Sequence, residues 1–61
     1  MPTIRVEMLP GRNNSQKKEL VSELTDAFIK TCDGNPDGVH VIITEVNADH
    51  WAVGGKLLSD N

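Results

Sequence analysis

Apolar and polar residues alternate strictly near the start of the chain. Ile4, Val6 and Met8 interleave with Thr3, Arg5 and Glu7. A period of two sends successive side chains to opposite faces, so 3–9 is predicted to be a strand with one apolar face. Pro10-Gly11 ends it. From Asn14 the period lengthens. Stepping about 100° per residue gathers Leu20, Val21, Leu24, Ala27 and Phe28 into one arc, with Cys32 at its edge. Glu19, Ser22, Glu23, Asp26 and Lys30 fall outside that arc, so a helix of about 18 residues is expected. Asn13 is a good N-cap, and Gln16 three residues later completes a capping-box pattern. Asp26 and Lys30 have the spacing of a helical ion pair. Ile29 falls on the polar side and is expected to be a stray exposed residue. Cys32 is expected to be a buried, inert thiol.

Asp33-Gly34-Asn35-Pro36-Asp37-Gly38 is a loop by composition, with Gly34 placed just past the helix end. Residues 39–46, Val-His-Val-Ile-Ile-Thr-Glu-Val, follow as a second strand. Its branched aliphatic residues fall on both faces, which requires cover on both. Strand, helix, strand over this length is a β-α-β unit of the α/β (α+β) class, with parallel strands and a right-handed crossover expected. One helix covers one face of the sheet, so the other must be covered by another subunit. Gly54-Gly55 suits a tight hairpin in the tail, which is expected to pack on a neighbour.

Length and charge narrow the picture further. Sixty-one residues make one domain, 1–61. A chain this short buries only about 60% of the surface its unfolded form exposes. Small domains offset that with disulfides, metal or partner subunits. A single cysteine cannot form an internal disulfide, and neither C-x-x-C nor H-x-x-H occurs, so no metal site is expected. Association of copies remains. The net charge of −3 argues against a nucleic-acid partner. No apolar run approaches a bilayer span, and the start has no signal-peptide h-region, so a cytoplasmic protein without membrane contact is expected.

No nucleophile–base triad, P-loop or G-x-G-x-x-G occurs. Pro2 stands out, because it follows the initiator methionine. Removal of Met1 would leave a secondary amine as the N-terminus, and a free α-amine titrates near 8. An apolar pocket lowers that value and yields a general base poised near neutrality. If Met1 stays, the Pro2 nitrogen is a tertiary amide without a basic lone pair. The plainer role for Pro2 is to start a strand where no N–H is required.

Leu9-Pro10-Gly11-Arg12, the helix opening near Gln16-Lys17-Lys18, Val41-Ile42-Ile43-Thr44-Glu45, and His50-Trp51-Ala52-Val53-Gly54-Gly55-Lys56 occur in this order after Pro2. In order and spacing this resembles the 4-oxalocrotonate tautomerase family of short chains, over nearly the whole length. The resemblance implies a β-α-β tautomerase fold with a small C-terminal hairpin, its sheets completed by assembly into a homohexamer, a trimer of dimers. It implies a cofactor-independent keto–enol tautomerase of small 2-oxo and enol acids, in which the amino-terminal proline moves a proton between oxygen and carbon. It implies that no metal or cofactor is used. Pro2 matches the catalytic proline. Arg12 matches the arginine that binds a substrate carboxylate, a task suited to a planar and permanently charged guanidinium. Trp51 matches an aromatic position in the apolar pocket wall.

His40 departs from the pattern. The family's best-known members carry a second arginine there, which reaches a neighbouring site and binds the far end of a dicarboxylate. A histidine is shorter and near neutral at pH 7. A monocarboxylic enol acid is therefore the expected substrate class. Two alternatives accompany this reading. One is a catalytically silent or hetero-oligomeric subunit of the same fold. The other is a hydratase or dehalogenase of an unsaturated acid, which needs a further acidic residue to activate water. His50 is expected to be a loop or packing residue, and Glu7 and Glu45 to form structural ion pairs, with Arg5 or with a neighbour's basic residue.

Overall fold

The computed structural model describes residues 2–60. Strand β1 spans Thr3–Met8, helix α1 spans Asn14–Cys32, strand β2 spans His40–Glu45, and two short strands follow, β3 at Ala52–Val53 and β4 at Lys56–Leu57. Two short 3₁₀ turns, Pro36–Gly38 and Ala48–His50, precede β2 and β3. Both long strands are a residue or two shorter than their apolar patterns, because the ladder ends where the partner does. Past the last paired residues, the Val46 N–H donates to the Met8 carbonyl at 2.8 Å.

β1 and β2 pair in parallel, with Thr3 opposite His40 and Met8 opposite Glu45. The β-α-β unit is thus as the sequence predicts. Ile4, Val6, Met8, Val41 and Ile43 share one face and are half-buried. Thr3, Arg5, Glu7, His40, Ile42 and Thr44 share the other and are exposed. The second strand is less two-sided than its composition suggests. On the uncovered face only Ile42 is a large aliphatic, 41% exposed opposite Arg5.

Helix α1 starts where the capping box predicts. Asn13 Oδ1 accepts from the Gln16 N–H at 2.8 Å, and Gln16 Oε1 accepts from the Asn13 N–H at 3.0 Å. Two otherwise orphaned donors are satisfied by this exchange. The half-buried face comprises Lys17, Leu20, Val21, Leu24, Thr25, Phe28 and Ile29. It is rotated from the arc read in sequence, leaving Ala27 and Cys32 exposed. Ile29 is correspondingly not a stray surface residue. Its Cδ1 lies beside the Gly34 turn, where a Cβ on Gly34 would meet it at 3.8 Å. Cys32 is no buried thiol; its Sγ lies 3.5 Å from Thr31 Oγ1 on the exposed last turn.

Of the expected ion pairs, the helical one between Asp26 and Lys30 is missing among the described residues, whereas Glu45 does form a structural pair. Lys17 Nζ meets Glu45 Oε2 at 3.0 Å and ties the first turn of α1 to the end of β2. Both side chains are about one third exposed, 29% and 35%, so the pair contributes at most about 1 kcal/mol.

β3 and β4 form an antiparallel hairpin around Gly54-Gly55, with Ala52 opposite Leu57 and Val53 opposite Lys56. Both glycines have positive φ, 62° and 82°, as a type I′ turn requires. The hairpin's foot is closed by the Leu58 N–H donating to the Trp51 carbonyl at 2.8 Å. Its body stands out from the rest of the chain. Val53 is 65% exposed and Leu57 39%.

Among the described residues none is fully buried. The molecule measures 43 × 24 × 15 Å with a radius of gyration of 14.6 Å, against about 10–11 Å for a compact chain of this length. Its exposed large apolar residues are Ile42 on the helix-free sheet face and Val53 and Leu57 on the hairpin.

Candidate active site

The ladder between β1 and β2 decides which candidate residues can meet. Pro2 lies just ahead of β1 and is half-buried. Its carbonyl accepts a hydrogen bond from the His40 N–H at 2.9 Å, which extends the ladder by one bond. Pro2 and His40 therefore share one end of the sheet. His40 is the first residue of β2, and it belongs to the exposed set on the helix-free face. Met1, whose removal would free the Pro2 nitrogen, lies outside the described residues.

Arg12 and Trp51 belong to the other end. Arg12 follows β1 in the turn leading to α1. It is exposed, with Nη1 donating to the Leu9 carbonyl at 3.4 Å, a long and weak bond. Gly11, at φ 132°, provides the sharp bend before it. No acidic partner holds the guanidinium among the described residues. Trp51 follows the Ala48–His50 turn beyond β2 and is half-buried. It lines an open hollow of about 270 Å³ with Glu7, Val46, His50 and Ala52.

One strand length separates the two groups. β1 has six residues, and at about 3.3 Å per residue it spans about 20 Å. Within one chain Pro2 with His40, and Arg12 with Trp51, cannot surround one small molecule. A second chain laid antiparallel alongside would bring the Arg12 end of one copy to the Pro2 end of the other.

The hollow beside Trp51 is also lined by two side chains to which the sequence assigned no site role. Glu7 has no ion pair among the described residues, where a structural pair was expected, and it lines the hollow instead. Its position follows from the period of β1, because Glu7 is on the helix-free face near the strand's end. His50 also lines the hollow, and its Nδ1 lies 3.2 Å from Asp49 Oδ1, with both side chains largely exposed. Among the described residues no three His, Cys, Asp or Glu side chains form a group that could hold a metal ion. No described helix is long and apolar enough to cross a membrane.

Comparison with known proteins puts these features in context. Residues 2–61 match the family model described as tautomerase enzyme. A protein named "Probable tautomerase" from Staphylococcus epidermidis is 48% identical over 60 residues, covering 98% of each chain. The crystal structure of YwhB, a homologue of 4-oxalocrotonate tautomerase, is 42% identical and superposes with a TM-score of 0.94 over 98% of each chain. A heterohexameric 4-oxalocrotonate tautomerase from Chloroflexus aurantiacus is 38% identical, with a TM-score of 0.90 over 98% of this chain and 97% of that one. Homologues of 4-oxalocrotonate tautomerase thus form oligomers. The parallel pair, the single covering helix and the end hairpin are shared with such structures over almost the full length. By sequence and by fold, this chain belongs to the tautomerase family of isomerases, among the homologues of 4-oxalocrotonate tautomerase.

Proposed function

We propose that this protein is a cofactor-independent keto–enol tautomerase of small 2-oxo and enol acids, with the Pro2 amine as its general base once Met1 is removed. The observation that carries the reading is the position of Pro2. It sits just ahead of β1 at one end of the sheet, with its carbonyl held by the His40 N–H. Family membership supplies the reaction class. The site is completed by a second copy that brings Arg12 and Trp51 to the Pro2 end, and the assembly is a homohexamer.

In this mechanism the Arg12 guanidinium binds the substrate carboxylate, and its fixed charge draws electron density toward that end. The uncharged Pro2 nitrogen takes the proton from the enol hydroxyl, the C–O bond gains double-bond character, and the conjugated carbon becomes nucleophilic. The prolinium then returns the same proton to that carbon, which leaves the enzyme unchanged. Trp51 excludes water from the Pro2 nitrogen and disfavours its charged form. His40 adds one hydrogen-bond donor beside Pro2 in place of a fixed cation.

The test uses protein whose intact mass shows Met1 removed, assayed on a panel of enol acids. Activity should rise with pH along a limb below the free α-amine value of about 8, because the base must be uncharged. Carbamylation of the N-terminal amine should abolish it. Full activity in a chain that keeps Met1, or in the blocked protein, would refute the role given to Pro2.

A second reading draws on Glu7. Its carboxylate lines the Trp51 hollow, and hydration of an unsaturated acid needs such a group to activate water. Including an acetylenic and an olefinic acid in the same panel separates the two reactions. Tautomerase activity that is indifferent to Glu7→Gln, together with no hydration product, eliminates the hydratase.

A further inference from the structure

The sheet end that carries Pro2 is held by a run of hydrogen bonds that begins at one side chain. Asn35 Oδ1 accepts from the Asp37 N–H at 3.0 Å, and the Asn35 carbonyl accepts from the Gly38 N–H at 2.9 Å. Together these bonds fold the Pro36–Gly38 turn onto Asn35. The Val39 N–H then donates to the Pro36 carbonyl at 3.2 Å, and the His40 N–H donates to the Pro2 carbonyl at 2.9 Å. The turn ends one residue before β2 begins, so its shape sets where the first donor of β2 stands.

That donor has an unusual task. Proline's ring fixes its own φ, so the orientation of the Pro2 ring relative to β1 depends on the torsion that also carries its carbonyl. The His40 N–H holds that carbonyl. Nothing else in the ladder does, because Pro2 lies outside β1. The chain enters the turn through two residues in unusual backbone conformations. Asp33 and Gly34 both have positive φ, and Asn35 is the first residue back in extended conformation, at φ −100° and ψ 125°.

We propose that Asn35 is a positioning residue for Pro2, acting through the Pro36–Gly38 turn and the His40 N–H to hold the proline ring where its nitrogen meets the substrate. The proposal rests on the reading of Pro2 as the base. Asn47 provides an internal control. It stands at the same place ahead of the Ala48–His50 turn, but its side chain makes no capping bond.

The experiment compares Asn35→Ala, Asn35→Asp, Asn47→Ala and Pro2→Ala with the parent protein, each checked for Met1 removal, fold and assembly. A displacement near 1 Å at a reacting centre can cost up to about a hundredfold in rate. On an enol monocarboxylate, Asn35→Ala should lower kcat about tenfold to a hundredfold while KM stays within about twofold, since Arg12, which holds the substrate carboxylate, lies at the far end of the strand and is untouched. Asn35→Asp keeps an oxygen acceptor for the Asp37 N–H and should restore most of the rate. Asn47→Ala should behave as the parent. If Asn35→Ala keeps the parental kcat while Pro2→Ala is inactive, the positioning role is wrong and the role of Pro2 stands. If Asn35→Ala fails to fold or assemble, the folded Asn35→Ser variant is read in its place. A loss in that variant shared equally between kcat and KM, or matched by Asn35→Asp, overturns the proposal in favour of a purely structural turn. A fully active Pro2→Ala protein overturns both.

Discussion

Asp33 shows how a single backbone angle becomes a testable quantity. It follows α1 at φ 62° and ψ 172°, and its N–H still donates to the Ile29 carbonyl at 3.1 Å. That conformation is almost confined to glycine and costs an ordinary residue about 1–3 kcal/mol. Replacing Asp33 by glycine would relieve the strain and add about 0.5–1 kcal/mol of backbone entropy to the unfolded state. Relief is the larger effect. Asp33→Gly should therefore raise the stability read by urea unfolding by about 1 kcal/mol. A loss of stability would mean that the aspartate side chain contributes something the turn needs.

The charged residues of the site carry the specificity prediction. Arg12 holds a carboxylate in the proposed mechanism, and His40 stands where dicarboxylate-specific relatives are expected to have a second arginine. A hydrogen bond to a charged group contributes roughly 1.5–3 kcal/mol, so its absence costs about one to two powers of ten in kcat/KM. An enol monocarboxylate such as an aryl enolpyruvate should accordingly compete well with 2-hydroxymuconate. His40→Arg should raise kcat/KM for the dicarboxylate selectively, whereas Arg12→Ala should depress both substrates. Equal gains on both substrates for His40→Arg would assign the histidine to stability or assembly.

At the scale of elements, the helix and first strand were legible because each has a clear period and sharp ends, and the second strand because of its run of branched aliphatic residues. The capping box could be read from Asn13 and Gln16 alone, and the structure has both of its bonds. Asn13→Ala should cost about 1 kcal/mol, measured by thermal unfolding, with the helix otherwise intact. No change would mean that the first turn is held mainly by Lys17 and Glu45. The rotation of the helix face was not legible. Lys17 and Ile29 are drawn into the half-buried side by Glu45 and by the Gly34 turn, partners that are distant in sequence or set by loop geometry. The same holds for Glu7. Its face follows from strand alternation, but its place beside Trp51 depends on where the chain turns after β2. Cys32 was misjudged because the half-buried face of the helix is rotated away from the arc whose edge it occupies.

The whole molecule looks like a fragment of something larger. Its strands leave one sheet face open, its hairpin projects with Val53 exposed, and no described residue is fully buried. The sequence pointed to partners through a second strand read as apolar on both faces. The open face, however, holds one large aliphatic of that strand, Ile42, and the hairpin's Val53 and Leu57 are the other exposed large apolar residues. The sequence could not indicate how the site divides, because the division follows from the parallel register. Thr3 pairs with His40 and Met8 with Glu45, so Pro2 with His40 and Arg12 with Trp51 fall a full strand apart. The central claim is that one working site takes Pro2 and Arg12 from different chains. Subunit mixing tests it most directly. Pro2→Ala and Arg12→Ala proteins, each nearly inactive, are unfolded together in equal amounts and refolded. With sites shared between chains, random assembly leaves about a quarter of the sites with both residues intact, and activity should recover to about that fraction of the parent. If each site takes both residues from one chain, no mixed assembly contains an intact site, and activity no higher than that of the separate variants would contradict the account.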